Sequence, residues 1–352
     1  MTEQVTARAV AGGEAAEMGA HRSLWRDVWL QYRTHTGAVV GTFVFLFIVL
    51  GVIIGPFFHT TDPTYIDYRA KNTLHMFSCF YFSVPEAVEN AGAWTTWSCF
   101  TDPAGFAELT AKRVKVSWTH PLGTDNYGRD TLAQLMAGGR VSLAVGVTAM
   151  ALSIVLGALI GVLSGFFRWL DGPLMRLTDL FLALPILPLL LVMIMLFRET
   201  LRAAFGPEEG IFILVVSAIG ITSWMQTARI VRGDVLSIKE REFVLAARSI
   251  GTRQHRIIGR HIFPNVLSPV MVSATLGLAS AIITESALSF LGLGFPSDFP
   301  TWGRLLIDGR DFMDITPSRV IWPGLAISLT VLSVNYMGDG LRDALDPRIR
   351  GR

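Results

Sequence analysis

Charge is scarce in this chain. Of its 352 residues only 16% are Asp, Glu, Lys or Arg while 51% are hydrophobic, a balance that excludes an ordinary soluble protein of this length. The formal net charge is +2, and no basic patch exists beyond the segments that flank apolar runs, which excludes a nucleic-acid partner. No Gly-x-x-x-x-Gly-Lys-Ser/Thr stretch occurs, so the chain has no phosphate-cradling loop and no ATPase of its own. Catalytic sets are missing as well. His255 and His261 lie six apart, a spacing that does not put them on one helical face as a zinc pair would be, and His120 precedes a turn proline. No Ser/His/Asp or paired-carboxylate set can be assembled, and no cofactor or metal is expected on this chain. Cysteine is limited to Cys79 and Cys99. A bridge across a loop of that length would stabilise it by roughly 3 kcal/mol; two unpaired thiols are the alternative.

What the chain has in quantity is long apolar runs. Six of them, at about 38–58, 141–167, 174–197, 211–230, 266–290 and 320–338, match the roughly 20 residues needed to cross a hydrocarbon core of about 30 Å. Such runs read as helices, which satisfy their backbone internally, and not as the short alternating segments of a barrel. The expectation is an all-α polytopic membrane protein with six transmembrane helices. If the N-terminus is cytoplasmic, the inner segments hold 18 Lys and Arg against 12 outside, of which seven lie in the one long outer segment; this puts both termini in the cytoplasm. Residues 1–37 form a cytoplasmic arm without the apolar core of a cleavable signal, so the span at 38–58 reads as an uncleaved start-transfer helix. Within the arm Leu24, Trp25, Val28, Trp29 and Tyr32 recur at helical spacing among Arg22, Arg26 and Arg33, the pattern of an interfacial amphipathic helix.

Residues 59–140 form the long outer segment, aromatic-rich over 59–118, where both cysteines lie. At its end His-Pro-Leu-Gly-Thr-Asp-Asn-Tyr-Gly-Arg-Asp, 120–130, reads as a turn followed by a short helix capped by Thr124 or Asp125 and ended by Gly138 and Gly139. The remaining five spans occupy 141–338, with a cytoplasmic loop at 231–264 and a tail at 339–352. Ser153, Gly157, Gly161 and Gly165 line one face of span two, and Ser273, Gly277 and Ala281 one face of span five, which predicts close helix contacts. Pro185 and Pro188 kink or unwind span three, a break that could face a pathway. Asp179 is expected to pair with Arg176. Glu285, near the outer end of span five, is the one intramembrane acid of note; it reads as a pathway or outer-face residue, or as a hydrogen-bonded interfacial acid.

In the cytoplasmic loop Ile238, Phe243, Leu245, Ala246 and Ile250 suggest an apolar side, Lys239, Glu240, Arg241, Glu242 and Arg248 a polar one, and Gly251 a C-terminal stop. A two-sided helix outside the membrane needs a surface to bury it. Ala246, Ala247 and Gly251, with Pro264 thirteen positions later, resemble the "EAA" loop of the membrane subunits of ATP-binding-cassette (ABC) importers; Leu245 stands where that family usually has Glu, His261 where Ile is common and Phe263 where Leu is common. The 120–130 block, Arg140-Val-Ser-Leu143 and the Asp346-Pro347-Arg348 tail resemble the oligopeptide, dipeptide and nickel group of these permeases, over most of 120–350. The resemblance implies an ABC-importer permease fold in a bacterial inner membrane and a coupling helix in a groove of a separate ATPase, through Lys239, Glu240, Phe243, Leu245, Ala246, Ala247, Gly251 and Pro264. It also implies a second permease, two ATPase subunits that hold ATP and Mg, and an extracytoplasmic solute-binding protein. Peptides come first as solute, with nickel chelates or glutathione behind. An ion-coupled secondary transporter is the rival from another class.

Overall fold

The computed structural model describes residues 24–67, 120–296, 299–313 and 316–345. Cys79, Cys99 and the aromatic part of the outer segment lie outside them. Among the described residues the chain is helical apart from one isolated bridge between Thr124 and Asp130. In order come α1 (Leu24–Thr34), α2 (Thr36–Phe58), α3 (Thr131–Phe166), α4 (Arg168–Ala183), α5 (Ile186–Phe205), α6 (Glu209–Ile238) and α7 (Glu242–Ser249). Then follow α8 (Gln254–Ile257), which runs through a π turn into α9 (Phe263–Phe290), α10 (Trp302–Arg310) and α11 (Ser318–Leu345). Among the described residues five continuous helices are long and apolar enough to cross a membrane, and the pair α4 and α5, bent by 91°, brings the number to six if it crosses as one broken span. "Outer" and "cytoplasmic" ends follow the distribution of basic residues.

The arm helix α1 folds back where His35 interrupts the chain. The His35 Nδ1 accepts from the Ala38 N–H at 3.0 Å and so caps α2. The Tyr32 hydroxyl lies 2.6 Å from Thr42 Oγ1. Val28 and Ala38 are buried while Trp29 is exposed, and α1 packs on α11, so the amphipathic arm rests on protein on one side and leaves Trp29 uncovered. Along α2, Phe43, Phe47 and Phe57 all lie more than two-thirds exposed, as side chains facing lipid do.

The small-residue stripe of span two sets the tightest contact. A Cβ on Gly157 would stand 2.7 Å from Trp224 O, one on Gly161 2.7 Å from Ala228 O, and one on Gly165 2.7 Å from Val235 Cβ. All three therefore let α3 and α6 touch backbone to side. Gly277 of α9 admits the Met150 thioether in the same way. Two clusters fill the bundle. Val145, Leu190, Ile194, Leu214, Ile219 and Leu288 form the outer one; Val162, Val231, Val235, Val244, Ile257 and Ile262 form the cytoplasmic one.

Several boundaries differ from those read in sequence. Gly138 and Gly139 do not end a helix. Asp130 caps α3, which runs unbroken to Phe166, and the glycine pair lies inside it to admit Thr301 and the Trp302 ring. Span three is no single helix from 174 to 197. Leu184 and Pro185 are both extended, as the residue before a proline prefers, and α4 and α5 meet there at 91°. Asp179 pairs with Arg229 of α6 and not with Arg176, while Arg232 holds Asp171, Nη2 to Oδ2 at 2.7 Å, so α4 is fastened to α6 by charge. The segment read as a loop from 231 to 264 is mostly helix: α6 extends to Ile238 and the next long helix starts at Gln254. The tail is helical as far as Leu345.

Replacing Gly161 by Leu should destabilise the bundle by about 1–3 kcal/mol, because backbone and β-branched atoms cannot yield to it. Gly233→Ala, at an exposed helical position with nothing within 4 Å, should be neutral or stabilising by up to about 1 kcal/mol. Thermal unfolding of the two purified variants separates them.

Candidate functional site

At the cytoplasmic end the chain leaves α6 and makes a tight turn through Lys239 to Arg241, where the Arg241 N–H donates to Ile238 O at 3.0 Å. It then forms the eight-residue α7. Gly251 ends this helix at φ +75°. The Thr252 N–H donates to Ala247 O at 3.1 Å and the Gly251 N–H to Arg248 O at 2.9 Å, the paired bonds of a Schellman stop, which needs a left-handed residue at this position.

The faces of α7 are phased differently from the sequence reading. Val244 and Ala247 point inward, at 0% and 6% exposure, against Ile238, Ile257 and Ile262. Ala247 and Ile238 therefore belong to the protein's own core and not to a docking face. Phe243, Leu245, Ala246 and Ile250 remain exposed, Ile250 at 82%. Glu240 is exposed too, and Lys239 is half-buried, its Nζ donating to Gly165 O at 3.1 Å at the end of α3. The Arg248 guanidinium sits 5.6 Å from the Phe166 ring centre, close enough for a cation–π contact. Arg248 ties α7 to α3, and Lys239 ties the turn before it to the same helix end. Sequence reading missed both contacts because the pairs are more than seventy residues apart. The π turn at Ile258–Ile262 precedes Pro264. The Phe263 N–H reaches back five residues to Ile258 O, and the widened turn makes room for a proline that lacks its own N–H and would crowd a regular α-turn. Pro264 is exposed at the start of α9, and the Phe243 ring lies 6.0 Å from that of His261. Pro185 and Pro188 are exposed at the bend between α4 and α5.

The outer end is polar and closed. Asp130 caps α3 through the Ala133 N–H at 2.7 Å and holds His120 Nδ1 at 2.7 Å. His59 Nε2 lies 3.1 Å from its other oxygen without hydrogen-bond alignment. Asp125 accepts from the Tyr127 and Arg129 N–H groups and from Arg129 Nε at 2.6 Å. Gly128, at φ +91°, passes so close to Asp67 that a Cβ there would collide with its carbonyl. Buried Arg319 donates to Asn126 at 3.0 Å and stacks 4.4 Å from the Phe312 ring centre, with Asp125, Arg129 and Asp308 around a cavity of about 10 Å³. Burial pushes the Asp308 carboxyl above the usual aspartate range against the pull of Arg304. On acidification outside, Asp308 thus takes a proton earlier than an ordinary aspartate.

Glu285 is fully buried. It accepts from Ser142 at 3.0 Å and Ser289 at 2.8 Å, so in this chain it does not line an open path. Among the described residues no three His, Cys, Asp or Glu side chains are placed to hold a metal ion. What the arrangement offers is a short, rigid helix with an uncovered apolar face at the cytoplasmic end and a braced outer cap.

Comparison with known proteins fits this geometry. Residues 153–351 match the family described as "Binding-protein-dependent transport system inner membrane component", and residues 23–76 match the "N-terminal TM domain of oligopeptide transport permease C". The dipeptide transport system permease protein DppC of Alkalihalophilus pseudofirmus is 38% identical over 66% of this chain and 73% of its own length. The oligopeptide transport system permease proteins OppC of Bacillus subtilis and Haemophilus influenzae are each 33% identical, over 93% and 94% of this chain and 91% and 90% of theirs. Among solved structures, the methionine ABC transporter MetNI in an inward-facing form aligns at TM-score 0.49 and 17% identity, over 60% of this chain and 97% of that one; the assignment rests on the sequence relatives alone. With one family profile covering more than half of its length and full-length relatives at 33% identity, this chain belongs to the binding-protein-dependent transport system inner membrane component family.

Proposed function

We propose that this chain forms one half of the translocation pathway of an ATP-driven importer of di- and oligopeptides in a bacterial inner membrane. It pairs with a second permease, receives solute from an extracytoplasmic binding protein, and draws on two separate ATPase subunits that hold the ATP and Mg. The observation that carries this reading is the uncovered face of α7. Phe243, Leu245 and Ile250 are exposed on a helix whose other side is locked into the bundle, so a partner that grips this face moves the spans. The peptide as solute follows from the names of the dipeptide and oligopeptide relatives; nickel chelates and glutathione stand behind it. ATP hydrolysis lies with the partner, since the sequence has no phosphate-binding loop. The ion-coupled alternative is disfavoured by Glu285, whose carboxyl is enclosed by serine hydroxyls.

The test is uptake by the reconstituted complex. Peptide should enter proteoliposomes only with ATP, the ATPases and the binding protein together; uptake driven by a proton or sodium gradient without them would overturn the reading. Within that assay Gly251→Val should lose coupled uptake while still inserting, because a β-branched residue at positive φ costs about 1 kcal/mol or more, whereas Gly251→Asn should keep most of it. Leu245→Glu should bring no gain and should weaken assembly, as an acid placed among apolar contacts does. A salt-sensitive strengthening would show that a basic residue of the ATPase was waiting there.

A further inference from the structure

Hydroxyl side chains within these spans mostly bond to their own helix. Thr148, Ser164, Thr222, Thr284 and Thr330 each donate to a carbonyl three or four residues earlier, the usual resting place of a membrane hydroxyl. The hydroxyls around Glu285 do otherwise. Ser142 of α3 donates to its Oε2 at 3.0 Å, Ser289 to its Oε1 at 2.8 Å, and Ser286 lies 3.5 Å from Oε2. Ser142 in turn accepts from the Trp302 backbone N–H at 3.2 Å, and the Trp302 indole donates to Leu135 O at 3.0 Å. A fully buried acid in a span is costly, and it marks a function more often than packing.

The surroundings show what the acid joins. Gly303 of the cap helix α10 lies against the Ser286 backbone, where a Cβ would come within 2.5 Å of its carbonyl. A Cβ on Gly138 would stand 3.1 Å from the Thr301 carbonyl carbon. Glu285 thus clasps α10, α3 and α9 at one point. From Ser142, α3 runs unbroken to Phe166, about 36 Å at 1.5 Å per residue, and α9 runs back through the π turn to Gln254. Both arrive at the docking segment: α3 meets Arg248 of α7 at Phe166 and Lys239 of the preceding turn at Gly165 O, and the α8–α9 run meets Val244 of α7 through Ile257 and Ile262. The route through α4 and α5 is bent by 91° and cannot act as a strut.

We infer that Glu285 is a positioning residue for transport: it locks the outer cap to two continuous helices, so that the arrival of a binding protein on the outer face is transmitted to the docking helix. The inference rests on the importer reading above. Spatial continuity alone does not show coupling, so the test reads coupling itself. In the full complex in nanodiscs, the measured quantity is the ATPase rate with peptide-loaded binding protein divided by the rate without it. Glu285→Ala should lower that ratio by on the order of fivefold or more while the basal rate stays near that of the unaltered complex. Glu285→Gln, which keeps one acceptor oxygen for one serine and can donate its amide NH2 to the hydroxyl oxygen of the other, should restore most of the ratio. Ser142→Ala should lower it as well, and the double variant should be no worse than Glu285→Ala, since the two residues share one interaction. A ratio unchanged in Glu285→Ala, or basal and stimulated rates that fall in parallel, overturns the inference and leaves Glu285 a packing residue. If Glu285→Ala does not assemble, Ser142→Ala is read in the same way, and an unchanged ratio there overturns it equally. Should the unaltered complex show no stimulation at all, the importer reading falls and this inference with it; failure confined to the variants overturns this inference alone.

Discussion

The contact between α3 and α6 is the one on which both ends of the molecule depend. Three glycines spaced four apart bring the two helices so close that their neighbours are backbone carbonyls and valine branches, and lipid offers no hydrophobic drive that could replace such close packing. Because the helices cannot slide past each other without collision, the groups at their ends keep fixed positions. At the cytoplasmic end this holds Gly165 O and Phe166 where Lys239 and Arg248 can reach them. At the outer end it holds Ser142 against Glu285 and Trp302.

Between those ends the protein divides into a stiff part and a bent part. The long helices α3, α6 and α8–α9 share two continuous apolar clusters. The α4–α5 pair is broken at Leu184 and Pro185 and is fastened to α6 by Asp171–Arg232 and Asp179–Arg229. Charge at the cytoplasmic ends and apolar packing within the spans follow from the cost of an unpaired charge in hydrocarbon. A transporter that exposes a pathway to one side at a time needs stiff elements that move as units, and this chain supplies them.

The spans, the close-packed glycines and the stop at Gly251 were legible in the sequence because each depends on local chemistry: twenty apolar residues, small residues every fourth position, a glycine after a helical run. The phase of α7 was not. Val244, Leu245, Ala246 and Ala247 are four consecutive apolar residues, and only the direction from which the chain leaves α6 decides which of them face the bundle. Asp179 was assigned to the nearest arginine in sequence, yet the span breaks and turns it toward Arg229. Gly138 and Gly139 looked like a helix end because a glycine pair usually is one; here they admit Thr301 and Trp302, residues more than 160 positions away. Glu285 was visible as an isolated acid in an apolar run, but its partners come from α3 and its own next turn, and no pattern announces them.

The central claim, that the exposed side of α7 is the surface gripped by an ATPase, is tested most directly by a photo-crosslinking residue at Ile250 in the assembled complex. Ile250 is the most exposed large apolar side chain of this segment and makes no contact that the substitution would remove from the core. The account predicts a single crosslinked species containing this chain and the ATPase subunit. Crosslinks to lipid or to the second permease alone, in a complex that still transports, would contradict it.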